Sequence, residues 1–157
     1  MNPIILLALL GASDPTAEVF FDFDSARMPE GTSDQLVKFV DYAKEHPDAK
    51  IVVDGNTDSV GSREYNLKLA LRRARTIQSQ LTLLGVEGDR VVIIDYGEKG
   101  LRRTTNALDR RVTVWTTEDP LYAIIDRAMP RATSVTWDEP VMAAQIEGPR
   151  ATQTAFR

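Results

Sequence analysis

The side chains able to do chemistry crowd into two short stretches. Asp22 and Asp24 flank Phe23, and Asp54 and Asp58 bracket the run Gly55-Asn56-Thr57, which continues as Ser59-Val60-Gly61-Ser62. Paired acids are the raw material of general acid–base or metal chemistry. Here the rest of such a site is missing: no motif supplies a nucleophile, an oxyanion hole or a metal-ligand spacing, and the glycines match no phosphate loop. The chain has no cysteine, and its one histidine, His46, directly precedes Pro47 at the expected end of a helix. Disulfide, thiolate and imidazole chemistry therefore lack their residues or partners, and no metal, cofactor or catalytic residue is expected. Binding is the better reading of these acids.

The elements around them are legible. Lys50-Ile51-Val52-Val53 is short, apolar and β-branched, as suits a strand buried on both faces. A polar loop follows, bracketed by Gly55 and Gly61, and Ser62 or Gly61 is placed to cap a helix. From Arg63 to Leu84 a rotation of about 100° per residue gathers Leu67, Ala70, Ala74, Ile77, Leu81 and Leu84 into one stripe, and Gly85 stands at the C′ position. Arg73 lies roughly 70° from the stripe's centre, on the same edge as Asn66 and beside Leu69. Its stem is expected to pack and its guanidinium to point along that edge; taken alone, it is a snorkelling arginine paired with a nearby carboxylate.

It is not alone. The pattern T-D-x-x-G-x-x-x-x-N-x-x-L-x-x-x-R-A is met by Thr57, Asp58, Gly61, Asn66, Leu69, Arg73 and Ala74. This stretch resembles the OmpA-like peptidoglycan-binding domain, a family that includes Pal lipoproteins and flagellar stator proteins. Val19-Phe20-Phe21-Asp22-Phe23-Asp24-Ser25 is similar to the family's opening strand, Asp95-Tyr96-Gly97-Glu98 to its G-Y-G-E turn, and Asn106 with Asp109-Arg110-Arg111-Val112 to its closing N-R-R-V segment. The likeness runs from about Glu18 to Thr117. Asn56, Ala70 and Asp109 stand where the family usually has His, Ser and Asn. The resemblance implies non-covalent binding of peptidoglycan through the diaminopimelate of its stem peptide, whose side chain ends in an ammonium and a carboxylate on one carbon. Asp58 would accept from the ammonium and Arg73 would grip the carboxylate bidentately. Asn66 would tie loop to helix, and Thr57, Asn56, Gly61, Asp22, Phe23 and Asp24 would line the groove. At about 1.5 Å rise per residue Arg73 lies roughly 15 Å beyond Ser62, so the loop must fold back along the helix for both charges to meet one ligand.

The chain of 157 residues, 43% hydrophobic, suits one core with a tail. The expected fold is α+β, a β-α-β-α-β-β two-layer sandwich over residues 18–117 with a mixed sheet and both helices on one face. Glu18 to Asp24 forms the first strand. Thr32 or Ser33 caps a helix burying Leu36, Val37, Val40 and Ala43. Val91 to Asp95 is the third strand, Gly97 to Ala107 a long polar loop and Arg111 to Thr116 the fourth strand. Residues 118–157 form a C-terminal extension: Asp119-Pro120 opens a short helix through about Ala128 that buries Leu121, Ile124 and Ile125, and the remainder is a hairpin on the sheet edge or an irregular, partner-binding arm. Residues 1–17 hold the apolar run Ile4 to Leu10, then Gly11-Ala12-Ser13 placed as at a signal-peptidase site, though without a preceding Lys or Arg. The segment is expected to be an export signal, which would make the protein periplasmic and wall- or outer-membrane-associated, or else a core or interaction segment. It is too short to span a bilayer as a helix.

The net charge of −4 hides a separation, because residues 61–117 carry six acids against eleven bases and residues 1–60 eleven against four. Nucleic-acid binding is disfavoured by the acidic total and the lack of an aromatic platform among the arginines. The alternative to wall binding is an envelope assembly module whose wall site has decayed, with residues 118–157 holding a protein partner.

Overall fold

The structure, a computed structural model, describes residues 14–100, 106–138 and 152–156. Among these residues six strands form one sheet: β1 (Thr16–Phe20), β2 (Lys50–Asn56), β3 (Val91–Gly97), β4 (Arg111–Thr117), β5 (Ser134–Asp138) and β6 (Thr152–Phe156), in the order β1-β4-β2-β3-β5-β6. Only β2 and β3 pair in parallel; every other pair is antiparallel. The helices are α1 (Thr32–Glu45), α2 (Arg63–Leu83), the single turn α3 (Asn106–Asp109) and α4 (Leu121–Ala128). The expected β-α-β-α-β-β order over the first four strands is present, and the sheet is mixed.

Alternation along the central strands builds two cores. Ile51, Val53, Val91, Ile93, Val112 and Val114 face one side, where Leu36, Phe39 and Val40 of α1 and Ala74, Ile77 and Leu81 of α2 pack on them. Val52, Val92, Ile94 and Val135 face the other, where Ile124 and Ala128 of α4 close over them with Ala132. A helix therefore covers the second face as well. The double-sided apolar run of β2 and β3 requires that cover, because each large side chain buried is worth about 1.5–3 kcal/mol.

Several local expectations are corrected. The first strand occupies Thr16–Phe20, so it begins inside the 1–17 segment and ends before Asp22; residues 1–13 lie outside the described residues. Phe39, not Val37, completes the buried side of α1, and Val37 is exposed. The N-cap of α1 is Gly31 at φ 78, while the Thr32 hydroxyl bonds back to the Pro29 carbonyl at 2.8 Å. Strand β2 runs on through Asp54-Gly55-Asn56 because partners on both sides continue the ladder. Gly97 is still in β3, Glu98–Gly100 is a 3-10 turn and Asn106–Asp109 a helical turn; residues 101–105 of the expected loop lie outside the described residues. Pro120 rather than Asp119 is the N-cap of α4, since the Asp119 carboxylate is bonded to Arg127.

Other expectations are met. Ser62 Oγ accepts from Tyr65 N at 3.2 Å at the start of α2. At its end Gly85, with φ +104, gives the bonds Gly85 N to Thr82 O and Val86 N to Leu81 O, both 3.0 Å, which make a Schellman stop. Of the tail, β5 pairs antiparallel with β3, and β6 with β5 in the register Ser134 to Phe156, Asp138 to Thr152, while residues 139–151 between them lie outside the described residues. Trp137 lies in β5, and Val141 and Met142 lie outside the described residues.

Candidate functional site

The topology gathers one rim of the sheet. Parallel β2 and β3 end there, β1 ends there too because it runs antiparallel to β4, and β4 starts there. Phe21 to Ser25, Asn56 to Gly61, Gly97 to Gly100 and Asp109 to Arg111 thus meet. The crevice beyond the carboxyl ends of parallel strands is where α/β sheets ordinarily hold ligands. The 15 Å separation along α2 is closed from the strand side: β2 lies so tightly against α2 that a Cβ on Gly55 would stand 2.5 Å from the Ala70 carbonyl oxygen. Ala70 is fully buried at this contact.

Asp58 is 4% exposed. Its Oδ1 accepts from Val60 N at 3.2 Å, and its Oδ2 faces Arg110 Nη1 at 3.4 Å. Arg110 also donates from Nε to the Phe21 carbonyl at 3.2 Å and keeps 20% of its side chain exposed. It is the more accessible partner of a loose ion pair. In sequence Arg110 is one arginine of the closing segment, and only the antiparallel return of β4 brings it to Asp58.

Arg73 is completely buried. Nε donates to Ser25 O at 2.8 Å, Nη1 to Asn56 O at 3.2 Å and Nη2 to Asp22 O at 3.0 Å, with the guanidinium 5.4 Å from the Phe21 ring centroid. Burial pushes its pKa down to about 10; Asp58 opposes that, Arg110 adds to it and Asp24 opposes it. The group stays a cation at neutral pH. Instead of a side chain aimed wholly at a ligand, Arg73 staples the Asp22–Ser25 loop to the end of β2, with three of its five N–H groups on carbonyls.

The other expected residues divide into scaffold and rim. Asn66, 1% exposed, donates from Nδ2 to Glu98 Oε2 at 3.2 Å and so ties α2 to the turn after β3. Asn56 donates from Nδ2 to Asp54 O at 3.1 Å, and its Oδ1 packs on Gly100, where a Cβ would stand 1.8 Å away. Thr57 is fully buried, bonds Gly97 O through its backbone at 2.9 Å and has no partner for its hydroxyl among the described residues. Gly61 turns the loop at φ +100. Asp24 adopts φ 51, and its carboxylate accepts from the Tyr65 hydroxyl, a link no sequence pattern announced. Phe23 stands beside it, 62% exposed.

The Asp54 and Asp58 carboxylates part company. Asp54 lies on the α4 side of the sheet, where Oδ2 accepts from Trp115 Nε1 at 2.9 Å and Oδ1 is buried with no hydrogen-bond partner among the described residues. Burial pushes its pKa up to about 7, against the pull of Trp115, Arg111 and Arg131. Buried Asp95 is likewise pushed up to about 7, opposed by the Gly97 N–H. Among the described residues no three His, Asp or Glu side chains group as metal ligands, and no helix is long and apolar enough to cross a membrane.

A sequence model of the OmpA family matches residues 20–113. The chain is 40% identical over 82 residues to outer membrane porin F of Pseudomonas aeruginosa, covering 52% of this chain and 23% of the porin. It is 32% identical over 97 residues to the peptidoglycan-associated lipoprotein of Legionella pneumophila, covering 59% of this chain and 55% of the lipoprotein. It therefore spans at most about half the length of these curated relatives. Among solved structures, the peptidoglycan-associated lipoprotein from Burkholderia pseudomallei aligns with a TM-score of 0.58 at 32% identity, over 64% of this chain and 89% of that one. The periplasmic domain of Helicobacter pylori MotB aligns with a TM-score of 0.56 at 16% identity, over 73% of this chain and 85% of that one, a likeness of fold alone.

Proposed function

The chain belongs to the OmpA family, and on that premise we propose that it is a non-catalytic wall-binding module that holds peptidoglycan through the diaminopimelate end of a stem peptide. Asp58 takes the ammonium. The carboxylate lies against Arg110, with the buried Arg73 cation behind it. A zwitterion supplies both charges the groove lacks when empty, and it replaces the loose 3.4 Å contact between Asp58 and Arg110 with two charge-assisted ones. Phe23 and the loop backbones of residues 22–24 and 57–61 form the walls. Such a ligand places the protein in the periplasm, at the wall or the outer membrane.

The observation that carries this reading is a nearly buried carboxylate at a strand-end rim with one partly exposed arginine beside it and a second, fully buried arginine behind it. Co-sedimentation with purified sacculi tests it. The protein should pellet with sacculi and be released by free meso-diaminopimelate. Pelleting that excess diaminopimelate does not compete would remove the zwitterion from the account.

A further inference from the structure

The solvent face of α2 is basic. Lys68, Arg72 and Arg75 fall within about 60° of one another on the helical wheel, all exposed. The one acid on that face, Glu64, is taken by Lys68 at 2.7 Å. Arg27 joins them from the β1–α1 loop, because the carbonyl of its neighbour Ala26 accepts from Thr76 Oγ1 at 3.0 Å. Neither Arg27, Arg72 nor Arg75 forms an ion pair with a described carboxylate. The adjoining α1 exposes Asp34, Asp41 and Glu45, yet its one described ion pair, Lys44 with Asp41, is internal. A helix face that leaves cations unpaired beside an acidic neighbour is disposed toward an anion from outside.

The basic face is continuous with the groove. The Arg72 guanidinium lies 5.9 Å from the Tyr65 ring centroid, and the Tyr65 hydroxyl is bonded to Asp24 in the groove wall. We infer that Arg72 and Arg75, with Arg27 at their edge, form a second contact surface for the wall polymer, receiving free carboxylates of stem peptides next to the one held in the groove. This rests on the wall-binding reading above. A polymer seated in the groove runs onto this face, whereas a planar lipid surface would meet the helix without engaging the groove; the continuity favours the wall polymer. The surface acts through long-range attraction and adds avidity only on an extended ligand.

The test compares Arg72→Glu/Arg75→Glu with Lys44→Glu/Lys50→Glu. The second pair carries the same charge change at the opposite end of the molecule, where β2 starts. Full-length proteins are titrated with purified sacculi and with the soluble tripeptide L-Ala-D-Glu-meso-diaminopimelate at about 50 and about 500 mM NaCl. The α2 variant should bind sacculi about fivefold or more weakly than the control at low salt, with the gap closing at high salt, where screening is nearly complete. Its tripeptide affinity should stay within about twofold of wild type. Equal loss in both variants, or no loss in either, overturns the surface. Arginine-dependent capture by anionic phospholipid vesicles with sacculus binding unchanged also overturns it, in favour of a membrane. A wild type that ignores the tripeptide yet keeps arginine-dependent sacculus binding upholds this surface and sinks the groove reading instead.

Discussion

Asp54→Asn should stabilise the protein at alkaline pH and leave it nearly unchanged in mild acid. The Asp54 carboxyl titrates at about 7 in the folded state against an ordinary value of 3.8. Below the unfolded value both states are protonated and the group is neutral toward stability. Between about 4 and about 7 the unfolded chain gives up its proton while the folded one keeps it, so stability falls as pH rises and levels off above 7. At 1.36 kcal/mol per unit the full gap is about 4 kcal/mol. Relaxation and water around a half-buried residue reduce that to about 2 kcal/mol. Asparagine keeps an acceptor for Trp115 and removes the titration. Urea melts from pH 4.5 to 8.5 should show the variant within about 1 kcal/mol of wild type at pH 5 and about 2 kcal/mol more stable at pH 8, or roughly 4–8 °C in Tm. Asp95 contributes in the same direction, so wild-type stability keeps part of its slope in the variant. A variant that parallels wild type at every pH, or loses stability at pH 8, would refute the argument.

Arg73→Ala removes three carbonyl partners from the Asp22–Ser25 loop and the end of β2; at about 1–3 kcal/mol for each buried group left unpaired, chemical denaturation should register a loss of 3 kcal/mol or more. Gly55→Ala places a methyl against the Ala70 carbonyl and should cost about 1–3 kcal/mol in the same assay by forcing α2 off the sheet. Deleting residues 118–157 uncovers Val52, Val92 and Ile94, so the truncated chain should bind a hydrophobic dye and melt at least about 10 °C lower, each side chain being worth about 1.5–3 kcal/mol. Unchanged melting would mean that α4 and β5 lie on an already stable sheet.

Local grammar was legible where one residue type answers one backbone need. Ser62 and Gly85 bound α2 because an N-cap oxygen and a left-handed C′ glycine have few substitutes. The buried run of β2 announced a strand covered on both faces, though not which helix would cover the second. That depends on α4, whose apolar face matches any apolar surface of its size. Asp58 and Arg73 were legible as a constellation through their spacing, but their division of labour was not. The carbonyls that occupy Arg73 come from residues 17, 48 and 51 positions away, and a carbonyl carries no signature in the side-chain sequence. Arg110 and Tyr65 were hidden for the same reason: their partners, Asp58 and Asp24, lie 52 and 41 residues distant, across loops whose paths only the sheet order sets. Asp54 and Asp58 stand close in sequence, yet β2 continues past Val53 and turns Asp54 to the opposite face.

The central claim is that Asp58 and the arginines beside it hold one zwitterion, and isothermal titration with L-Ala-D-Glu-meso-diaminopimelate tests it most directly. Wild type should bind one equivalent of the tripeptide, and Asp58→Asn, which keeps the size of the side chain and removes its charge, should weaken binding by more than about tenfold, a change of at least 1.4 kcal/mol. Arg110→Lys should weaken it less, by losing the fork while keeping the charge. A folded Asp58→Asn protein that binds the tripeptide as tightly as wild type would contradict the account.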